Sequence, residues 1–300
     1  MYGLRLAAPW FAAEPTPDLT IRIEDEDTAE FRHARGLVPR TLRSRPFSYQ
    51  KLDYGRRYVC WRRLIEGIID PNNKQVVLRQ LGEGGLDTFR SHLLSPVLAL
   101  VLLDRGQETL HGSAISFGDQ AIAILGDSGA GKSSLAAALL SAGGRCITDD
   151  LLVLSGNDRV HVLPGPARLK LYPATAEQLL PGLRSSIPLN PFTTKRVYAL
   201  HSSEAEPRAL RLAGFWLLTG GAQTRRLQTR LLSGSSAVQA LVASTFVTVD
   251  DTVERQARLL RFAARLASVV PVHTLTLPRG LQRLTEQSAS IVRALIGLAA

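Results

Sequence analysis

Eight consecutive residues, Gly126-Asp127-Ser128-Gly129-Ala130-Gly131-Lys132-Ser133, limit what this chain of 300 residues can fold into more than any other feature. They match the pattern G-x-x-x-x-G-K-[ST], and they sit between an apolar, strand-like run ending at Leu125 and an alanine- and leucine-rich stretch of helical character. Strand, glycine loop and helix in that order make an anion cradle. Gly126, Gly129 and Gly131 admit positive φ, so successive backbone N–H groups turn inward, while the following helix aims its amide dipoles at the same point. In that frame Lys132 is placed to reach the β and γ oxygens of a nucleoside triphosphate, and the Ser133 hydroxyl is the expected magnesium ligand. The nucleotide-binding set is Gly126, Asp127, Ser128, Gly129, Ala130, Gly131, Lys132, Ser133 and Ser134. Lysine is scarce, with Lys51, Lys74, Lys132, Lys170 and Lys195 as its five examples, so a lysine inside the loop is not a background event.

The spacing predicts a helix from Ser133 to about Ser141, ended by Gly143 and Gly144. A brief strand, Arg145 to Thr148, then delivers Asp149 and Asp150 near the phosphates. Most ATPases and GTPases with such a loop carry their second acidic motif on a later, strongly apolar strand. Two carboxylates beside a triphosphate divide the work naturally: one holds magnesium or its water, and the other accepts the proton of an attacking hydroxyl. The competing reading is a solvated strand end or turn. Upstream, His111 opens an alternating strand to Phe117, Gly118 and Asp119 form a turn, and a second strand, Gln120 to Leu125, runs directly into the glycine loop. If the two strands pair, His111 lies toward the loop end of the sheet, as either a catalytic or a purely structural histidine.

Taken together, the residues from Leu110 to Val153 resemble the HPr kinase/phosphorylase family, bacterial serine kinases that share a fold with phosphoenolpyruvate carboxykinase. The resemblance implies an α/β P-loop kinase core with a mixed sheet and flanking helices. It also implies ATP and Mg2+, a serine-containing peptide or protein as acceptor, and a homo-oligomer. Residue by residue, His111 falls on the family's active-site histidine, Lys132 on its phosphate-binding lysine and Ser133 on its magnesium-binding hydroxyl. Asp150 falls on the general base, and Asp149 stands beside it as a second metal-facing group. The family's downstream segment with a magnesium-binding glutamate is replaced by Pro164-Gly-Pro-Ala-Arg-Leu-Lys-Leu, which has no carboxylate, so a reverse, phosphorolytic activity is in doubt. Arg168 and Lys170 alternate with Leu169 and Leu171 and would share a strand face, to meet phosphate or an acidic substrate or simply to face solvent. Thr194-Lys195-Arg196 stands where the family has a second basic loop, without an assigned catalytic role. The opening residues Tyr2 to Trp10 and the strand-like Leu19 to Ile23 look like shorter relatives, some of which phosphorylate a precursor serine in ribosomal-peptide clusters, lasso-peptide clusters included. Two other readings stay open: a non-catalytic ATP-gated module, which the missing glutamate favours, and a small-molecule kinase on the same core.

An apolar content of 45% is enough for one large domain or two modest ones. Residues 1–90 read as a small α+β region, with turn signals at Asp70-Pro71-Asn72-Asn73 and Gly82-Glu83-Gly84-Gly85, and residues 91–300 as the kinase domain. Leu93 to Leu103 is too short to span a membrane and reads as a buried helix; with no leader-like N-terminus, a cytoplasmic protein is expected. Cys60 and Cys146 form neither a disulfide scaffold nor a zinc site. The net charge of +10 suits an acidic partner, yet Arg35, Arg40, Arg43, Arg45, Arg225 and Arg226 are dispersed and no nucleic-acid signature appears. Neither nucleic acid nor membrane is an expected partner. Beyond the acidic pair, the pattern predicts a hairpin of Leu151 to Leu154 with Val160 to Leu163, a helix near Ala174 to Leu180 and a polar loop containing Pro188 and Pro191. Strands near Val197 to Leu200, Gly214 to Leu218 and Val272 to Leu277 follow, with helices at Ala237 to Val242, Val253 to Ala267 and Leu281 to Leu298.

Overall fold

Along the strand Gln120–Leu125 every side chain after the first is buried, and successive residues enter two different cores. Ile122 and Ile124 join one, whereas Ala121, Ala123 and Leu125 join the other. Burial on both faces marks the middle of a sheet covered by helices on each side. This architecture is seen in a computed structural model that describes residues 1–7, 17–82, 85–183, 186–219, 224, 227–249, 252–278 and 280–297. Trp10, Glu83, Gly84, Arg225, Arg226 and Leu298 lie outside the described residues.

The chain divides into two compact units, one of Met1, Gly3–Arg105 and Asn190–Thr193, the other of Tyr2, Gly106–Leu189 and Thr194–Ala300. The first unit holds a six-stranded sheet of β1 (Leu6–Ala7), β2 (Leu19–Glu24), β3 (Phe47–Lys51), β4 (Arg57–Trp61), β5 (Ile65–Asp70) and β6 (Gln75–Gln80), in the order β1-β2-β6-β5-β4-β3. The expected turn at Asp70 joins β5 to β6, with the Asp70 carboxylate accepting the N–H groups of Asn72 and Asn73 at 3.0 and 3.1 Å. Helix α1 (Ala29–Leu37) starts at Thr28, whose hydroxyl accepts the Phe31 N–H, and it buries Phe31 and Ala34 against Tyr58 and Ile68. A short helix, α2 (Arg40–Arg43), follows. Helix α3 (Leu86–His92) passes through a π-helical turn, Leu93–Val97, into α4 (Leu98–Asp104). The apolar run is therefore helical and buried, and its wide turn contains Pro96, which has no N–H to give to a regular ladder. Residue 90 falls inside α3, within a helical stretch that stays with the first unit.

The second unit is built on a nine-stranded sheet, whose first members are β7 (Leu110–Phe117), β8 (Gln120–Leu125), β9 (Arg145–Thr148), β10 (Leu151–Leu152), β11 (Leu154–Ser155) and β12 (His161–Val162). A separate three-stranded sheet contains β13 (Arg168–Leu171), β14 (Ser186–Pro188) and β15 (Arg196–Ala199). The large sheet is completed by β16 (Leu210–Leu218), β17 (Gln228–Leu232) and β18 (Val272–Thr276). Its centre mixes directions: β8 pairs antiparallel with β7 and parallel with β16, which pairs parallel with β18. The helices of this unit are α5 (Lys132–Ser141), α6 (Pro173–Leu179), α7 (Gly234–Ala243), α8 (Val253–Val269) and α9 (Leu281–Gly297). Side chains of α5, α6 and α9 pack with Ile122, Ile124 and Trp216, and those of α7 and α8 with Ala123, Leu125 and Phe215.

Three local expectations change. The predicted hairpin of Leu151–Leu154 with Val160–Leu163 is split, because Leu151–Leu152 pairs with β7 and only Leu154–Ser155 pairs with His161–Val162. Pro188 lies in strand β14, an edge position where a missing N–H costs no ladder bond. Strand β17 is absent from the predicted elements: it is a largely exposed edge paired only with β18, so its residues show no burial alternation for a pattern to reveal.

Candidate active site

Strand β8 runs straight into the glycine loop, where Gly126, Gly129 and Gly131 take φ values of 138°, 82° and 100°. At Gly126 space is as tight as conformation, since a Cβ there would lie 2.7 Å from the Leu218 carbonyl oxygen. The reason is the parallel pairing of β8 with β16, which carries Leu125 opposite Leu217 and so brings Leu218 beside the loop. Helix α5 begins at Lys132, whose buried Nζ donates to the carbonyls of Gly126 at 2.7 Å and Asp127 at 2.9 Å. Burial lowers its pKa below the ordinary lysine value, against the opposing pull of Asp150 and Asp149.

The acidic pair interrupts what is otherwise one strand. β9 and β10 both run antiparallel to β7; the β9 pairing shifts by one residue between Ile115 and Ala114, and from there Thr148 opposite Ala114 stays in step with Leu151 opposite His111. Between them Asp150 adopts φ 80°, a left-handed conformation that an aspartate tolerates only at some cost. This twist gives two adjacent carboxylates different surroundings. Asp149 is 3% exposed and accepts from Ser113 Oγ at 2.7 Å, Ser133 Oγ at 3.4 Å and the Lys170 backbone N–H at 2.9 Å. Asp150 meets the Lys170 ammonium at 2.6 Å through one oxygen and His111 Nδ1 at 3.6 Å through the other.

His111 also lies against Phe246, with ring centroids 5.6 Å apart. Desolvation lowers its pKa below 6.5, Asp150 pulls the other way, and Lys132 adds to the lowering.

A cleft of about 230 Å3 gathers these groups. It is lined by His111, Ser128, Gly129, Gly131, Lys132, Ser133, Ser134, Asp149 and Asp150, while Gly126, Asp127 and Ala130 complete the loop without lining it. Of the two basic residues expected to share a face of β13, Lys170 lines the cleft; Arg168 is buried and does not. Sequence reasoning gives no role to Ser113 or Lys195, which line it too. Lys195 also stands 5.2 Å over the Tyr172 ring. A signal for Lys195 exists: three of the chain's five lysines, Lys132, Lys170 and Lys195, meet in this cleft although arginine carries most of the charge elsewhere. Compact ammonium groups around a glycine loop suit phosphate. Ser113 has no such signal, because its partner lies 36 residues away across a strand pairing.

Among the described residues no group of three or more His, Cys, Asp or Glu side chains is placed to hold a metal ion. The oxygen donors that converge are Ser133 Oγ and Asp149 Oδ1. Among the described residues, too, no helix is long and apolar enough to cross a membrane.

Fold and cleft define a mixed α/β protein with a glycine loop at the end of strand β8. Its structure is similar to that of the Hpr(Ser) kinase/phosphatase from Coxiella burnetii, with 10% sequence identity, a TM-score of 0.32, and an alignment covering 63% of this chain and 97% of that one. No family model matches the sequence, and no curated protein matches it.

Proposed function

We propose that this chain is an ATP-dependent kinase that transfers the γ-phosphoryl group to a seryl hydroxyl of a peptide or protein. The observation that carries this reading is the unequal environment of Asp149 and Asp150. Asp149, buried and held by two hydroxyls and a backbone N–H, is fixed as an oxygen donor beside Ser133. Asp150, turned into the cleft next to His111, is the group we assign to take a proton.

The residues present fit magnesium, which is commonly bound by one or two carboxylates together with phosphates and waters; Ser133 and Asp149 would hold it. When bound, the ion neutralises charge on the β- and γ-phosphate oxygens. The loop amides and Lys132 bind the phosphates, with Lys132 exchanging the loop carbonyls for phosphate oxygens. Asp150 accepts the seryl proton as the serine oxygen forms its bond to the γ-phosphorus, the bond from that phosphorus to the bridging oxygen breaks, and ADP leaves with the electron pair. Lys170 and His111 keep the Asp150 carboxylate aimed into the cleft.

The test is incubation with labelled ATP, magnesium and serine peptides, comparing wild type with Asp150→Asn. Nucleotide affinity should stay within about threefold while transfer falls by a factor of about a hundred or more. Tight nucleotide binding with no label transferred by wild type to any peptide or protein would favour a non-catalytic ATP-gated module instead.

A further inference from the structure

The first unit carries a cavity of its own, about 300 Å3 in volume and lined by five arginines, Arg35, Arg43, Arg62, Arg63 and Arg79, against one acid, Glu66. Glu66 is fully buried and already saturated. Its carboxylate accepts from Arg35 Nε and a terminal nitrogen at 3.2 and 3.0 Å, from Arg79 Nε at 2.7 Å, and from the Tyr58 hydroxyl at 2.6 Å. Asp27, outside the lining, takes the remaining charge of that pair, 2.7 Å from Arg35 and 3.5 Å from Arg79. Arg43 and Arg62 are different. Arg43 donates to the backbone carbonyls of Val38 and Gly36 at 2.8 and 2.7 Å, and Arg62 to that of Ser44 at 3.1 Å. Backbone oxygens orient a guanidinium without neutralising it, and each fork keeps N–H groups to offer.

We propose that this cavity is an anion-binding site for a ligand bearing carboxylate or phosphate groups, received by Arg43 and Arg62. The planar forks match such oxyanions in a bidentate way, and the volume suits a small ligand or a single acidic side chain. The shared chemistry has two sources, a free small-molecule anion or an acidic residue of a peptide.

The experiment is calorimetric titration of the full chain in a Lys132→Ala background, which removes the glycine loop as a competing phosphate site. The probes are citrate, inorganic phosphate and a short diglutamyl peptide. Saturable binding of at least one probe is expected, weakened about tenfold or more by Arg43→Gln with Arg62→Gln, and less by Arg62→Lys, which keeps the charge but loses the fork. As a second measurement, citrate should move the Nε–H NMR signals of Arg43 and Arg62 in the otherwise unaltered protein. Citrate or phosphate binding without peptide binding assigns the free anion, and peptide binding displaced by phosphate assigns the acidic segment. Absence of saturable binding by every probe at about 10 mM, or binding indifferent to both arginines with unmoved Nε–H signals, overturns the site.

Discussion

Lys170 bridges the two neighbouring acids in the cleft: its backbone N–H donates to Asp149 at 2.9 Å while its ammonium donates to Asp150 at 2.6 Å. One residue of a separate three-stranded sheet thereby holds both carboxylates of the larger sheet, in a place where the sequence has no third carboxylate. Lys170→Met should leave Asp149 in place and release Asp150. Under the proposed reaction, kcat falls about 10- to 100-fold while nucleotide Kd changes less than about threefold, and Lys170→Arg recovers part of the loss. Single-turnover transfer measured beside nucleotide titration checks this, and an equal loss in both quantities would point to a general structural role.

Ser113 supplies the shortest hydrogen bond to Asp149, an almost fully buried carboxylate. Ser113→Ala removes a donor without removing the acid, which should lower stability by about 1–3 kcal/mol. Under the proposed function, with Asp149 holding magnesium, it should also raise the magnesium concentration needed for half-maximal nucleotide binding about tenfold. Denaturant melts and metal titrations read the two effects separately.

Burial disfavours the His111 imidazolium more than Asp150 favours it, which holds its pKa below the ordinary histidine value. Asp150→Asn removes the favourable charge and should move the titration lower still, whereas Lys132→Met removes a repelling cation and should move it up. Because the folded pKa is depressed, the unfolded chain binds the proton first as pH falls below the ordinary histidine value. The contribution of His111 to stability is therefore intact above about pH 6.5 and is lost as pH falls toward and through its folded pKa. NMR titration of the His111 ring protons in the three proteins measures each shift and its sign.

Gly126 combines φ 138° with a Leu218 oxygen that a Cβ would approach to 2.7 Å. Gly126→Ala should therefore lower stability by about 2 kcal/mol or more and abolish measurable nucleotide binding. At Gly129, also positive in φ but with open space where a Cβ would stand, alanine should cost less. Thermal unfolding and nucleotide titration of the two variants side by side test the ordering.

Much of the second unit is legible in the sequence because its signals are local. The two strands before the loop, helix α5, strand β9 and the long helices α8 and α9 follow from apolar periodicity and glycine punctuation. The segment after Asp150 is not, since Leu151–Leu152 reads equally well as the start of a hairpin or as a continuation of β9 along β7. Edge strand β17 and the proline-bearing β14 carry no burial pattern at all, and their pairing is decided by what lies next to them. Lys195 illustrates a third case: its rarity is visible, yet its place in the cleft depends on a chain path that no spacing encodes.

What the chain's order of residues determined unaided is the glycine loop between a strand and a helix, because positive φ, close-packed amides and a following helix are properties of neighbours in sequence. Tertiary structure alone decided how two adjacent aspartates differ. Ser113 and the Lys170 backbone close around Asp149 from strands 36 and 21 residues away, while a left-handed twist at Asp150 turns the next carboxylate to His111 and the Lys170 ammonium. Identical side chains acquire different surroundings here because burial and hydrogen bonding arrive through sheet pairing rather than along the chain.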